Sequence, residues 1–125
     1  MDIMAREQFF SLSSIYSEAS ARQVCEIWGC ELSSSCRKFV FEVEDDYLVH
    51  LLGLWTICLG DTVDETHLIA VESEQTQGQP VTIASLQPSL LPMVNVHDLE
   101  ITLPVTFLLT SGSGPVYISG QHVTY

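Results

Sequence analysis

The stretch that decides the fold is residues 101–125, ITLPVTFLLTSGSGPVYISGQHVTY. Apolar side chains occupy every second position from Ile101 to Leu109, and this period of two predicts a strand with one buried face. The run SGSGP at 111–115 follows, with glycines that permit positive φ and a proline that lacks an N–H, so the chain turns there. Val116 to Ile118 resume the extended pattern. We therefore predict two strands joined at a glycine corner.

Short strands and turns are also predicted upstream of this stretch. The predicted strands are 27–32 and 37–43, joined as a hairpin through the turn 33–35, then 47–60, 67–72, 81–86 and 93–96. About eight short strands without a convincing helix predict an all-β sandwich or closed barrel. Residues 1–22 lack this pattern, so we expect a flexible leader followed by one folded domain over 23–125.

The segment 47–60 is apolar on both of its predicted faces. One face carries Leu48, Leu52 and Leu54. The other carries Tyr47, Val49, Leu51, Trp55, Ile57 and Leu59. An antiparallel strand of a small single chain usually has one polar face, so the second apolar face needs a cover. We therefore expect the six residues of the second face to form an oligomer interface.

The charge of the chain is strongly and unevenly acidic. Its 125 residues include sixteen acidic and four basic side chains, with a formal net charge of −12. After Lys38 there are eleven acidic residues and no Lys or Arg. Such a surface attracts cationic partners and disfavours direct contact with nucleic acid or an anionic membrane. The alternative is that the charge serves only solubility.

The acidic residues gather where the predicted strands end. They are Glu42, Glu44, Asp45, Asp46, Asp61, Asp64, Glu65, Glu72, Glu74, Asp98 and Glu100. Strand ends lie at the rims of a barrel rather than on its walls. The sequence thus predicts walls that associate with other copies and rims that carry charge.

Metal-binding and catalytic patterns are not evident. The four cysteines, at positions 25, 30, 36 and 58, form no CxxC pair and lack histidine partners at zinc-site spacing. The four histidines are dispersed, and neither GxSxG nor a phosphate-binding loop occurs. We expect free, mostly buried thiols, no metal or other cofactor, and no enzymatic activity.

Several uncommon sequence blocks resemble one family. The block GSGPVYISGQH at 112–122, preceded by PVTFLL at 104–109, resembles the end of the core domain of the nucleoplasmin family of histone chaperones. WGCEL at 28–32, TICLG at 56–60 and PVTIASL at 80–86 are similar to the family's other signatures, in the same order. The resemblance covers residues 27–122 and is strongest for the egg-type branch.

The resemblance implies both an architecture and a partner. It implies an eight-stranded jelly roll that assembles as a pentameric ring, with a decamer of two stacked pentamers as the alternative. It also implies a nuclear chaperone core that binds core histones, as dimers or tetramers, and other basic proteins, and that supports chromatin assembly or remodelling. The acids expected to bind histones are Glu42, Glu44, Asp45, Asp46, Glu72 and Glu74. Asp64 and Glu65 are expected to lie between stacked pentamers.

The chain departs from the family pattern in three places. Residues 62–65 read TVDE where relatives often have AKDE, so a salt-bridged contact between pentamers lacks its lysine. Trp55 stands where relatives often have Arg, and the sequence ends at Tyr125, before the family's acidic tail.

A second interpretation is a structural or small-ligand jelly roll whose acids at 42–46 bind calcium through oxygen ligands.

Overall fold

The computed structural model describes residues 10–13, 24–43, 48–97 and 99–124. The strands are β1 (Phe10–Ser13), β2 (Val24–Leu32), β3 (Lys38–Phe41), β4 (His50–Leu59), β5 (His67–Ser73), β6 (Val81–Leu86), β7 (Met93–Asn95), β8 (Glu100–Thr102), β9 (Val105–Ser111) and β10 (Val116–Thr124). The 3-10 turn Glu74–Thr76 is the sole helical element among these residues. The described part of the chain contains no helix long and apolar enough to cross a membrane. The all-β prediction is confirmed, with ten strands among the described residues where about eight were predicted.

Two antiparallel sheets form the sandwich predicted from the sequence. The larger sheet has the order β1-β2-β10-β4-β7, and β8 also pairs with β4. The smaller sheet has the order β3-β9-β5-β6. Long-range pairings such as β2 with β10 bring the two ends of the domain together, as in a jelly roll.

An aromatic cluster joins the two sheets at the centre of the core. Trp28 of β2 is fully buried, and its ring centroid lies 5.8 Å from that of Phe39, 5.5 Å from Phe41 and 5.6 Å from Phe107. The three phenylalanines belong to β3 and β9 of the opposite sheet. The rings are tilted relative to one another, and aromatic pairs are more stable in such arrangements than when stacked directly face to face.

The predicted hairpin between residues 27–32 and 37–43 is wrong. β2 pairs with β1 and β10, whereas β3 pairs with β9 in the other sheet. The turn between them forms only an isolated bridge from Ser33 to Cys36. After this bridge the chain crosses to the other sheet, where Phe39 and Phe41 are buried against Trp28.

The predicted strand over residues 101–109 is divided between the two sheets. β8 pairs with β4, and β9 pairs with β3 and β5. Pro104 lies at the break and has no N–H to continue a ladder. Ile101, Val105, Phe107 and Leu109 are nevertheless all buried, so the period of two correctly predicted the core face. The glycine corner before β10 is confirmed, with φ of 95° at Gly112 and 70° at Gly114.

A β-bulge at Trp55 reverses the alternation along β4. Leu54 lies opposite Gly120 of β10 and Thr56 lies opposite Ser119, so Trp55 is the extra residue. The consequence is that Leu54 and Ile57, three positions apart, both face the core and are fully buried.

Because of this bulge, two residues of the predicted interface face the core instead. Ile57 is wrongly placed on the outer face, because its side chain is 0% exposed in the single chain. Leu59 follows Ile57 on the same side of the strand and packs against the core. Leu51 and Trp55 are half-buried and do not belong to that core, and Val49 is exposed, as expected for the outer face. Tyr47 lies outside the described residues.

Part of the predicted leader contributes a strand. Phe10–Ser13 form β1, which pairs with residues 26–29 of β2 at the edge of the larger sheet. The other residues of the segment 1–22 lie outside the described part of the chain.

Candidate functional site

Three of the acids predicted to bind a cationic partner share one end of the sandwich. Glu42 directly follows β3, Glu72 lies near the end of β5, and Glu74 begins the 3-10 turn. The register places Val105 of β9 opposite both Phe41 and Ser73, so the ends of β3 and β5 are two strand spacings apart, about 10 Å. We call Glu42, Glu72 and Glu74 the acidic rim. Glu44, Asp45 and Asp46 follow Glu42 in sequence and lie outside the described residues.

The 3-10 turn fixes part of the acidic rim in place. The Ser73 hydroxyl accepts a hydrogen bond from the Gln75 N–H at 3.2 Å, and the Thr76 hydroxyl accepts one from the Ser73 N–H at 3.0 Å. The Gln75 side chain in turn accepts from the Thr102 N–H at 3.1 Å, which ties the turn to β8 of the other sheet. Glu74 is exposed on this anchored turn, so its carboxylate faces solvent from a defined position.

The two carboxylates predicted to lie between stacked pentamers are at the opposite end, in the loop between β4 and β5. Asp64 accepts a hydrogen bond from the Ser89 N–H at 3.0 Å, which is the main reason that its pKa is lowered. Glu65 accepts from the Ser113 hydroxyl at 2.8 Å and from the Ser113 N–H at 3.0 Å. The hydroxyl bond is the main cause of the lowered pKa of Glu65. Both carboxylates therefore hold their own chain together.

A buried histidine completes a polar network around the glycine corner. His67 is fully buried and donates from Nδ1 to the Glu65 carbonyl at 2.9 Å, with its Nε2 3.4 Å from the Thr62 hydroxyl. Arg37 donates to the carbonyls of Leu109 at 2.9 Å and Gly112 at 2.7 Å. Sequence reasoning missed this network, because its members are far apart in the chain and only the SGSGP run signals the corner.

A pair of histidines meets between β4 and β10. His50 Nδ1 lies 3.1 Å from His122 Nε2, and the two rings stack with centroids 5.2 Å apart. The His122 ring also meets Phe41 edge-on at a centroid distance of 5.2 Å. Burial, and then the neighbouring His50, lower the pKa of His122, although Glu26 acts in the opposite direction. The sequence does not show this pairing, because the register of two distant strands creates it.

The lowered pKa of His122 predicts a loss of stability in mild acid. In the unfolded chain His122 binds a proton near pH 6.5, whereas the folded chain resists that proton. The unfolded state therefore binds more protons below about pH 6.5, and the free energy of unfolding should fall as the pH drops from 7.5 to 5.5. Chemical denaturation at these two pH values measures the change. A His122→Gln variant should lose less stability than the wild-type protein over this pH range. An equal loss in both proteins would contradict the assignment of the effect to His122.

The described residues offer no evident metal centre. None of the four cysteines forms a disulfide; Cys30 is buried and the other three are half-buried, which differs from the mostly buried thiols that the sequence suggested. Burial raises the pKa of the Cys30 thiol well above its ordinary value. Within ranges 10–13, 24–43, 48–97 and 99–124, no group of three or more His, Cys, Asp or Glu side chains is placed to hold a metal ion. Of the acids proposed to bind calcium, only Glu42 lies in these ranges.

The outer face of the larger sheet carries several apolar side chains that are exposed or half-buried. Leu51 and Trp55 lie on β4, and the register places Tyr117 of β10 opposite Cys58, with Met93 of β7 on the other side of Cys58. Tyr117 is 41% exposed and Met93 is 54% exposed. Ile27 of β2, 44% exposed, lies on the same sheet. This face is the wall that the sequence predicted to need a cover.

Known proteins match most of the chain. Residues 26–125 match the family model described as the nucleoplasmin/nucleophosmin domain. The chain is 52% identical over 106 residues to nucleoplasmin of Rhinella marina and 49% identical over 106 residues to nucleoplasmin of Xenopus laevis. These matches cover 82% of this chain but 54% and 53% of the two relatives, so the chain spans about half of their length.

One solved structure extends the match to the fold. The crystal structure of the Drosophila NLP core, which is described as giving insight into pentamer formation and histone binding, superposes with a TM-score of 0.71 at 29% sequence identity. The match covers 78% of this chain and 94% of that one.

Proposed function

Because the chain belongs to the nucleoplasmin/nucleophosmin domain family, we propose that it is the core of a nuclear histone chaperone. In this role it binds core histones through its acidic rim, without ATP, and supports chromatin assembly or remodelling. The observation that carries the proposal is the gathering of Glu42, Glu72 and Glu74 at one end of a domain that has no Lys or Arg after Lys38. The family is one of chaperones rather than enzymes.

Assembly would multiply the charge of the rims. Residues 23–125 contain thirteen acids and two bases, so five copies would carry a formal charge of −55. A field from many carboxylates steers a cationic partner and speeds its association by about 10- to 1,000-fold at low salt. Bound histones would be shielded from premature contact with DNA, because the same field repels phosphate.

We propose that the chain assembles as a pentameric ring in which the outer face of the larger sheet contacts the neighbouring subunits. Tyr47, Val49, Leu51 and Trp55 of the predicted interface remain in this proposal, whereas the buried Ile57 and the core-facing Leu59 do not. Stacking of two rings through Asp64 and Glu65 has less support, since Ser89 and Ser113 already bind these carboxylates. The folded unit in this proposal is residues 23–125, with β1 added to its edge.

Titration with core-histone dimers tests the function. We expect binding at about 50 mM salt that weakens strongly by about 500 mM, because the Debye length shrinks. The double variant Glu42→Gln/Glu74→Gln should bind about fivefold more weakly. The matched control is Glu31→Gln/Asp61→Asn, which removes the same charge at the opposite end of the sandwich and should have a smaller effect. If wild-type protein does not bind histones at low salt, the proposed function is wrong.

A charge on the proposed wall should prevent assembly. Trp55→Glu places a carboxylate on the outer face of the larger sheet, where burial against a neighbouring subunit would be costly. We expect light scattering to show mostly single chains for this variant. Leu108→Glu, on the outer face of the smaller sheet, is the control and should keep the wild-type mass. An unchanged mass for Trp55→Glu would exclude Trp55 from the interface.

A further inference from the structure

The strand β6 has an open backbone edge. It is the last strand of the smaller sheet and pairs with β5 alone. Apart from that ladder, no backbone hydrogen bond within the described ranges reaches residues 81–86. An unpaired edge presents rows of N–H and C=O groups that readily pair with another extended chain.

Other edges of the two sheets are shorter or charged. At the far side of the smaller sheet, β3 has four residues and begins with Lys38. In the larger sheet, β7 and β8 have three residues each. β6 has six residues, VTIASL, without any charge. It therefore lacks the lysine and the short length by which proteins commonly protect an edge.

The surroundings of β6 leave room for an added strand. Val81, Thr82 and Ser85 are exposed, while Ala84 and Leu86 face the core. The bridge between Gln87 and Leu91 holds the end of β6 near the start of β7, but β7 then pairs with β4 in the other sheet. The register with β5 shifts at Ile83, so an added strand would pair in two short segments rather than along an unbroken ladder.

Acidic side chains lie beyond both ends of this edge. At one end Val81 lies opposite Val71 of β5, and Glu72 and Glu74 come just after Val71 in the chain, beyond the start of β6. At the other end Asp64 is hydrogen-bonded to Ser89, three residues after β6. The partner that this arrangement complements is an extended segment with cationic side chains.

We propose that the edge of β6 binds an extended, Lys/Arg-rich peptide segment as an additional strand of the smaller sheet. Backbone hydrogen bonds to β6 hold the segment, and the acids at the two ends bind its cationic side chains. The inference rests on the proposed function, in that a histone would supply the segment. It adds a defined binding mode to what is otherwise a diffuse attraction between charges.

Two peptides of equal charge test the binding mode. The first alternates lysine with threonine, and the second has the same sequence with alternate backbone nitrogens methylated, which prevents strand pairing. We expect the unmethylated peptide to bind at least about tenfold more tightly, the effect of losing a few backbone hydrogen bonds. It should also slow hydrogen exchange at backbone amides in residues 81–86. Equal affinities, or no slowing in β6, would overturn the proposal.

A pair of variants locates the peptide on the sheet. Thr82→Lys adds a like charge beside the edge and should weaken the lysine–threonine peptide. Thr110→Lys adds the same charge at an exposed position of β9, a strand inside the same sheet, and should weaken binding of this peptide less; equal effects would contradict binding at β6. If histone dimers bind at low salt without slower exchange in β6, this inference fails and the proposed function stands. If histones do not bind, the proposed function fails, and the peptide result still decides whether the edge accepts a strand.

Discussion

Trp28→Ala should lower the free energy of unfolding by about 3–5 kcal/mol, the usual cost of removing a buried aromatic side chain. Trp28 is fully buried, and its ring packs against Phe39, Phe41 and Phe107 of the opposite sheet. Its removal leaves a cavity that the paired strands on either side cannot collapse to fill. Urea denaturation at a fixed protein concentration measures the loss, since assembly also contributes to apparent stability.

The matched variant for this position is Trp28→Phe. Phenylalanine keeps an aromatic ring among the three phenylalanines, so we expect a smaller loss than for alanine. A decrease below about 1 kcal/mol for Trp28→Ala would mean that the cluster does not hold the sheets together.

Gly112→Ala should be the second strongly destabilising change. Gly112 has a φ of 95°, which side-chain-bearing residues rarely adopt, and an added Cβ would overlap the ring of buried His67. The backbone strain costs about 1–2 kcal/mol and the overlap about 1–3 kcal/mol more. The corner cannot relax easily, because Arg37 and Glu65 hold both of its sides.

Gly78→Ala separates the two contributions. Gly78 has a φ of 76°, but an added Cβ there would meet nothing within 4 Å. This variant should therefore show the backbone strain without the overlap, and it should unfold at a clearly higher denaturant concentration than Gly112→Ala. Equal losses in the two variants would show that the packing of His67 against Gly112 contributes little.

The sequence could predict the core face of each strand better than the partner of each strand. The alternation from Ile101 to Leu109 is a local property, and every member of that face does pack inward or partly inward. Which sheet a strand joins depends on distant residues. Phe39 and Phe41 lie in the sheet opposite β2 and pack against Trp28 across the core, and no pattern within residues 33–43 contains that information.

The same distinction applies to the candidate site. Acids at strand ends are predictable, because turns mark those ends, and Glu42, Glu72 and Glu74 do share one rim. The bulge at Trp55 is not predictable from the sequence, because it depends on the close approach of β10 to β4. A Cβ on Gly120 would overlap the Gly53 carbonyl, so glycine is needed where β4 and β10 come together beside the bulge. That one extra residue moved Ile57 and Leu59 from the predicted interface to the core.

The account depends on several copies of this domain acting together on a cationic partner. The most direct measurement is the mass of the purified protein in solution, by light scattering at low salt, with and without core-histone dimers. The account predicts about 70 kDa for five copies of the 13.9 kDa chain, and a larger mass once histones are added. A mass of 13.9 kDa that histones leave unchanged would contradict it.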